Sequence, residues 1–320
     1  MLNKVKETIE KYNLIDKDDK IVAAVSGGPD SISLLDILYK LNYNICVAHV
    51  NHGLRENAVI DQKFVEDFCN KRNIPCFVKQ IKLKELKDKM TLEEAGRKER
   101  YDFFYEVMKS QKCNKIATAH NSNDNAETVI MNIIRGSGVS GLKGIEPIRD
   151  NVIRPLIEIT RKEIEAYCKE NELNPRHDES NDEDIYTRNK VRLKVIPYIE
   201  ENINSNVVNN INRLSSIVLE EEKYIEKETE KAYNECLIAS EENRNVYNLK
   251  KFNSLDIVIK KRLIKKFIIN LLGNAKDIEK IHIDDIVKLC DKNIGGKFLM
   301  PNKRVKISII KGTIECIKMC

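Results

Sequence analysis

The sequence predicts an α/β protein in which a parallel sheet is covered by helices and a long helix leads on to a smaller α+β unit. Short β-branched runs at 21–25, 45–50, 75–81 and 115–119 alternate with helical stretches at 31–41, 56–73, 91–111 and 126–135, as in sheets buried on both faces. A glycine-rich turn stands directly between the first run and the helix after it. Near Asn206 the character changes, and a long charged helical pattern begins.

Taken in order, the chain opens with Leu2, Val5 and Ile9 at amphipathic-helix spacing, without the continuous apolar stretch of a signal peptide. A fifth strand is expected at 152–156, and a basic helical segment at 185–199 has Pro197 near its end. Residues 206–236 read as a linker helix whose apolar positions, Val207, Ile211, Leu214, Ile217 and Ile225, pack along one side. Helices at 255–272 and 283–292 follow, then extended segments at 297–300, 304–310 and 313–318, with turn signals at Pro301-Asn302 and Lys311-Gly312. The domain boundary is placed near Asn206, giving domains over 1–205 and 206–320. There are no internal repeats or low-complexity tracts.

Forty-two per cent hydrophobic content is enough to bury a core, and 55 basic against 50 acidic side chains leave +5. That balance fits a soluble enzyme with local basic patches and excludes a uniformly cationic nucleic-acid coat. The longest apolar runs are strand-sized, so a cytoplasmic protein with no membrane partner is expected. Nine cysteines, an odd number with no C-x-x-C among them, read as reduced and mostly buried thiols.

The most informative segment is Ser26-Gly27-Gly28-Pro29-Asp30-Ser31, after the first strand and before an apolar helical run. Glycines let the backbone turn sharply and approach a ligand, while the following helix aims free N–H groups and its positive dipole end at an anion. Ser26 and Ser31 add hydroxyl donors, and Asp30 is placed to hold the Mg²⁺ that accompanies a triphosphate. An ordinary strand-turn-helix junction would use Gly-Gly-Pro equally well, but it needs neither both serines nor the acid. No Lys-Ser or Lys-Thr follows, so this is not a Walker A loop.

The loop resembles the S-G-G-x-D-S pyrophosphate loop of the N-type ATP pyrophosphatases, whose nucleotide-hydrolase-like domains cleave ATP between its α and β phosphates and adenylate a carbonyl oxygen. That resemblance does not choose among GMP, NAD and asparagine synthetases, tRNA thiolases and lysidine synthetases. Further motifs do. His49-Val50-Asn51-His52-Gly53-Leu54-Arg55 is similar to the H-V-N-H-G-L-R signature of tRNA(Ile)-lysidine synthetases, and Glu93-Glu94-Ala95-Gly96-Arg97-Lys98-Glu99-Arg100-Tyr101 to their E-E-A-A-R-x-x-R-Y helix. A metal pair at His49 and His52 lacks a Cys or carboxylate at ligand spacing, and a solvated charge run is the plain alternative for 93–101. His120-Asn121-Ser122-Asn123-Asp124-Asn125-Ala126-Glu127-Thr128 resembles H-x-x-D-D-Q-x-E-T, departing at Asn123 and Asn125, whose roles stay open. The same Asn and Asp residues could cap the helix expected near Ala126.

Residues 135–144 resemble the family's R-G-x-G-x-x-G-L-x-G, and also satisfy a dinucleotide pattern that a preceding helical run disqualifies. Arg154-Pro155-Leu156, Arg161, Asp178-Glu179-Ser180-Asn181 and Arg188-Asn189-Lys190-Val191-Arg192 complete the ordered match.

The resemblance implies an ATP-dependent ligase that adenylates the wobble cytidine of an isoleucine tRNA with a CAU anticodon and then joins it to free lysine. It assigns Ser26 to Ser31 to ATP, Asp30 to Mg²⁺, and His52, Arg97, Arg100 and His120, with Asp30, to the reaction pocket. Asp124 and Glu127 would bind the lysine substrate. Basic residues Arg188, Arg192, Lys260, Lys261, Arg262, Lys265 and Lys266 are expected to face tRNA phosphates. Longer members of that family carry another C-terminal domain, so the chain is expected to be a short form or to lack it. Oligomeric state, a homodimer included, stays open. A tRNA thiolase of the same superfamily is the nearest rival, and the missing C-x-x-C speaks against it. A regulatory protein that senses ATP without turnover is another, but it would need no amino-acid pocket.

Overall fold

The computed structural model describes residues 1–51, 58–81, 92–176, 187–292 and 296–319. The chain divides into two compact units, Met1–Leu219 and Glu220–Cys320.

In the first unit, α1 (Leu2–Lys11) precedes β1 (Lys20–Ala24), α2 (Pro29–Lys40), β2 (Asn44–Asn51), α3 (Ala58–Asn70), β3 (Cys76–Gln80), α4 (Leu92–Ser110), β4 (Lys115–Ala117) and α5 (Ser122–Ile134). A short β5 (Ile148–Arg149), β6 (Val152–Ile153) and α6 (Arg161–Glu170) follow. The six-stranded sheet has the order β3-β2-β1-β4-β6-β5, parallel throughout except for β5, which turns back antiparallel on β6. Residues alternate along β1 because successive side chains point to opposite faces. Ile21, Ala23 and Val25 enter a core with Val5, Leu34, Val65 and Ile164 from α1, α2, α3 and α6. Val22 joins Phe103, Phe104 and Val107 of α4 on the other face.

After α6, the described chain resumes with α7 (Thr187–Lys190), one π-helical stretch at Val191–Val195, and α8 (Ile196–Asn202). The long α9 (Val207–Cys236) contributes its first turns to the first unit, where Val208 packs with Ala126, Val191 and Ile196. The change of sequence character at Asn206 marks where α9 begins, whereas the division of the units falls inside it. The expected apolar stripe of α9 is corrected. Leu214 and Ile217 are exposed, and the buried positions include Val208, Ser215, Val218, Leu219, Glu222 and Cys236.

The second unit pairs β7 (Leu237–Ser240), β8 (Arg244–Asn248), β9 (Phe298–Asn302), β10 (Val305–Ile310) and β11 (Thr313–Lys318) in the antiparallel order β7-β8-β11-β10-β9. Helices α10 (Leu249–Asn253), α11 (Ile257–Leu272) and α12 (Lys280–Lys292) build its core, in which Tyr247 stacks on Phe267 at 3.5 Å. Lys311 and Gly312 both adopt positive φ, the two-residue hairpin turn their sequence signals. Among the described residues no helix is long and apolar enough to cross a membrane.

Candidate active site

The sheet grows outward from β1 in one direction and from β4 in the other. In open α/β sheets the crevice at such a reversal, beyond the carboxyl ends of the strands, is where ligands bind. The glycine-rich loop leaves β1 there, and Thr118 to Asn121 leave β4 beside it.

Gly27 has φ +99, which a side chain would strain, and Gly28 is the extended N-cap of α2 with Pro29 at its start. Ser31 Oγ accepts the N–H groups of Ser26 at 3.1 Å and Gly27 at 3.2 Å and donates to the Gly28 carbonyl at 3.0 Å. Its hydroxyl therefore shapes the loop. Ser26 Oγ sits 3.2 Å from Ser31 Oγ. No side chain caps the start of α2, so its dipole end remains available to an anion.

Unpartnered buried polar atoms call for an explanation, because native proteins pair nearly all such atoms. Among the described residues of the first unit these are Asp30 Oδ1, His49 Nε2, Asn121 Nδ2, Ser122 Oγ and Arg154 Nε. All lie at or just beyond the carboxyl ends of β1, β2, β4 and β6. His49 donates Nδ1–H to the Val25 carbonyl at 2.8 Å, so its unpartnered Nε2 is an acceptor, and burial lowers its pKa. Asp30 is pushed up to about 6, chiefly by burial, against the opposing charge of Arg161, which lies 3.4 Å from its Oδ2. The charge of Asp124 pushes the same way as burial. Among the described residues no group of three or more His, Cys, Asp or Glu side chains could hold a metal.

His120 is pushed down to about 3, first by burial and then by the charges of Arg154, Arg188, Arg97 and Arg100. It stays neutral at physiological pH, with Nδ1 2.9 Å from Thr118 Oγ1. The charges of Arg97 and Arg100 thus bear on the His120 ring. Arg97 also lies over the Tyr101 ring, 5.0 Å from its centroid. His52 lies outside the described residues, as does the segment Asp178 to Asn181.

Helix α5 begins earlier than expected because Asn121 and Asp124 form a capping box, each side chain bonding the other's backbone N–H at 3.0 Å. Asp124 and Glu127 then face α7 and the π stretch. Glu127, 1 % exposed, accepts Arg188 Nε at 2.7 Å and Arg192 Nε at 2.6 Å, and Asp124 accepts Arg192 Nη2 at 2.9 Å. The acidic pair is thus compensated by two guanidinium groups of the chain itself. Asn123 accepts the Arg161 N–H at 3.0 Å, anchoring the start of α6. Asn125 accepts the Ile145 N–H at 2.6 Å and donates to Asn212 at 2.8 Å. These bonds give both departures from the family pattern a structural role.

The PP-loop domain family matches residues 1–199. The tRNA(Ile)-lysidine synthase of Caldanaerobacter subterraneus subsp. tengcongensis is 46 % identical over 94 % of this chain and 66 % of its own length. That of Clostridium acetobutylicum is 46 % identical over 94 % of this chain and 67 % of its own length. The chain belongs to the tRNA(Ile)-lysidine synthase family. It spans about two thirds of the length of the curated relatives it matches. Among solved structures, the tRNA thiolase NcsA of Methanococcus maripaludis shares the fold, with a TM-score of 0.57, 22 % identity and coverage of 68 % of this chain and 80 % of its own.

In this chain the glycines at 136–144 follow the end of α5, and Gly138 caps only a short 3-10 turn at Val139–Gly141. They therefore meet carbonyl groups at a helix C-terminus, which is no site for a phosphate. Sequence reasoning named Arg154, Arg161, Arg188 and Arg192 as motif members but gave none of them a place in the pocket. Their signal was the arginines themselves, set just after a strand or at one-turn spacing.

Proposed function

We propose that this chain uses ATP to adenylate the 2-carbonyl oxygen of the wobble cytidine in the CAU anticodon of an isoleucine tRNA, and then joins that carbon to free lysine. The observation that carries the reading is 46 % identity over 94 % of the chain to enzymes named for lysidine synthesis. The chemistry fits the site. A carbonyl oxygen is a poor leaving group, and adenylation converts it into a phosphate ester that an amine can displace. The lysine side-chain nitrogen attacks, AMP leaves, and pyrophosphate has already gone. Residues 1–205 would carry this chemistry and 206–320 would contribute to tRNA binding, in a cytoplasmic enzyme.

In this reading the glycine-rich loop and the start of α2 receive the pyrophosphate end of ATP. Asp30 fits a magnesium ion, because its buried Oδ1 has no hydrogen-bond partner and a cation there would oppose the burial that raises its pKa. The ion, shared with phosphate oxygens as hard cations are, would neutralise charge on the triphosphate. Arg97 and Arg100 face developing phosphate charge, and neutral His120 accepts or donates a hydrogen bond without adding to it. Asp124 and Glu127 remain the candidates for the lysine ammonium. Arg188 is the more exposed of their two partners, 36 % against 18 % for Arg192, so the ammonium would exchange with Arg188.

Pyrophosphate release tests this directly. With ATP and lysine it should require isoleucine tRNA carrying CAU, and replacing the wobble cytidine by uridine should abolish it. Equal release with both RNAs would sink the proposal.

A further inference from the structure

Arg154 is 7 % exposed, immediately after β6 and beside the switch point of the sheet. A buried guanidinium brings five donors that need acceptors. Here Nη1 donates to the Glu146 carbonyl at 2.6 Å, while Nε is buried without a partner among the described residues. Nearby carboxylates are already engaged. Glu146 pairs with Lys143 at 2.7 Å and Glu127 with Arg188 and Arg192. Arg154, Arg188, Arg97 and Arg100 all bear on the same neutral His120 ring. Arg188 is compensated by Glu127, but the charges of Arg97 and Arg154 oppose each other, and an anion would relieve that repulsion. A bracing role for Arg154 would use the Glu146 carbonyl and the Tyr101 hydroxyl, and neither engages Nε.

We infer that the buried Arg154 guanidinium centres a second phosphate-binding site, distinct from the glycine-rich loop after β1. Two phosphates have the required chemistry: one of the nucleotide, or a phosphodiester of the RNA strand next to the reacting base. The site rests on geometry, and only the choice between these sources rests on the proposed function.

The test compares wild-type chain with Arg154→Gln and Arg154→Lys. Inorganic sulfate should raise the thermal unfolding midpoint of wild type more than that of Arg154→Gln. Because the glycine-rich loop is intact in both, the difference belongs to Arg154. Binding of ATP and of an isoleucine anticodon stem-loop RNA is then titrated separately. Loss of one charge-assisted contact should weaken one of the two by about tenfold or more. If RNA affinity falls and ATP affinity holds within twofold, the ligand is the RNA backbone, and the reverse result identifies the nucleotide. Should Arg154→Gln not fold, Arg154→Lys keeps the charge and the reach to Glu146 but loses the planar fork, and should show a smaller loss in the same ligand. Equal sulfate protection with both affinities within twofold would overturn the site and leave Arg154 a structural brace. Failure of wild type to bind either RNA or ATP would instead count against the proposed function, with the sulfate comparison still deciding the site.

Discussion

Asp30 combines burial, an unpartnered oxygen and a pKa pushed up to about 6. Its sign matters. Below about pH 6 the carboxyl is protonated, and a divalent cation must displace that proton. Magnesium-dependent ATP binding should therefore weaken about tenfold per pH unit below that point. Asp30→Asn should abolish adenylation, leave the fold intact and remove this pH dependence. Titration of ATP at pH 5 and 7 with and without magnesium checks it, and normal ATP–pyrophosphate exchange by folded Asp30→Asn would contradict the assignment. Glu127 makes the opposite case, a carboxylate fully compensated inside the chain. Glu127→Gln should cost about 2–4 kcal/mol, below the figure for a fully buried pair because Arg188 is partly exposed. It should also raise the lysine concentration needed for turnover while sparing adenylation, as should Asp124→Asn. Loss of adenylation at an unchanged lysine requirement would move the pair to the ATP site. The glycine-rich loop that carries Asp30 and the acidic spacing of Asp124 and Glu127 were legible in the sequence. The partners of Glu127 were not, because Arg188 and Arg192 stand 61 and 65 residues away and no local periodicity links them.

At the scale of elements, the strand-loop-helix junction after β1 depends on one hydroxyl. Ser31→Ala removes the acceptor for two loop N–H groups and the donor to Gly28, a loss of about 1–3 kcal/mol concentrated where phosphate should bind. ATP affinity should fall about tenfold or more, with far smaller change in the urea midpoint than a core truncation causes. An unchanged ATP affinity would show that the loop holds its shape without Ser31. The alternation of apolar runs announced β1 to β4 and the helices between them, since each is buried on a face whose period the sequence keeps. Helix α6 escaped that reading because only Ile164, Tyr167 and Cys168 of its residues are buried, too narrow a stripe to stand out. Its signal was local instead, the Thr160–Glu163 capping box. Strands β7 and β8 were missed for a related reason. Edge strand β7 is half exposed, and Arg244, Asn245 and Asn248 give β8 the composition of a turn.

For the whole molecule, a net charge of +5 says little about where RNA would bind, because most of the cations expected to face phosphate are compensated within the fold. Lys260 pairs with Asp291 at 2.9 Å, Lys261 with Asp284 at 2.8 Å, and Arg262 and Lys266 with Glu222 and Glu230. Arg188 and Arg192 hold the acidic pair of α5. The helical period that makes α11 look like a basic face also sets its charges against carboxylates of α9 and α12, a match that composition cannot display. A cation already paired releases few counterions when RNA arrives. Each phosphate it did neutralise would add about −0.9 or less to the slope of log affinity against log salt. The RNA affinity of wild type should fall as salt rises, and substituting Lys261 and Lys266 together by Gln should leave that slope unchanged within about half a unit. The same double variant should unfold at a slightly lower temperature, since its carboxylates lose their partners. A slope shallower by one to two units in the variant would show that these lysines leave their carboxylates and meet the RNA, and would return α11 to the binding surface the sequence first suggested.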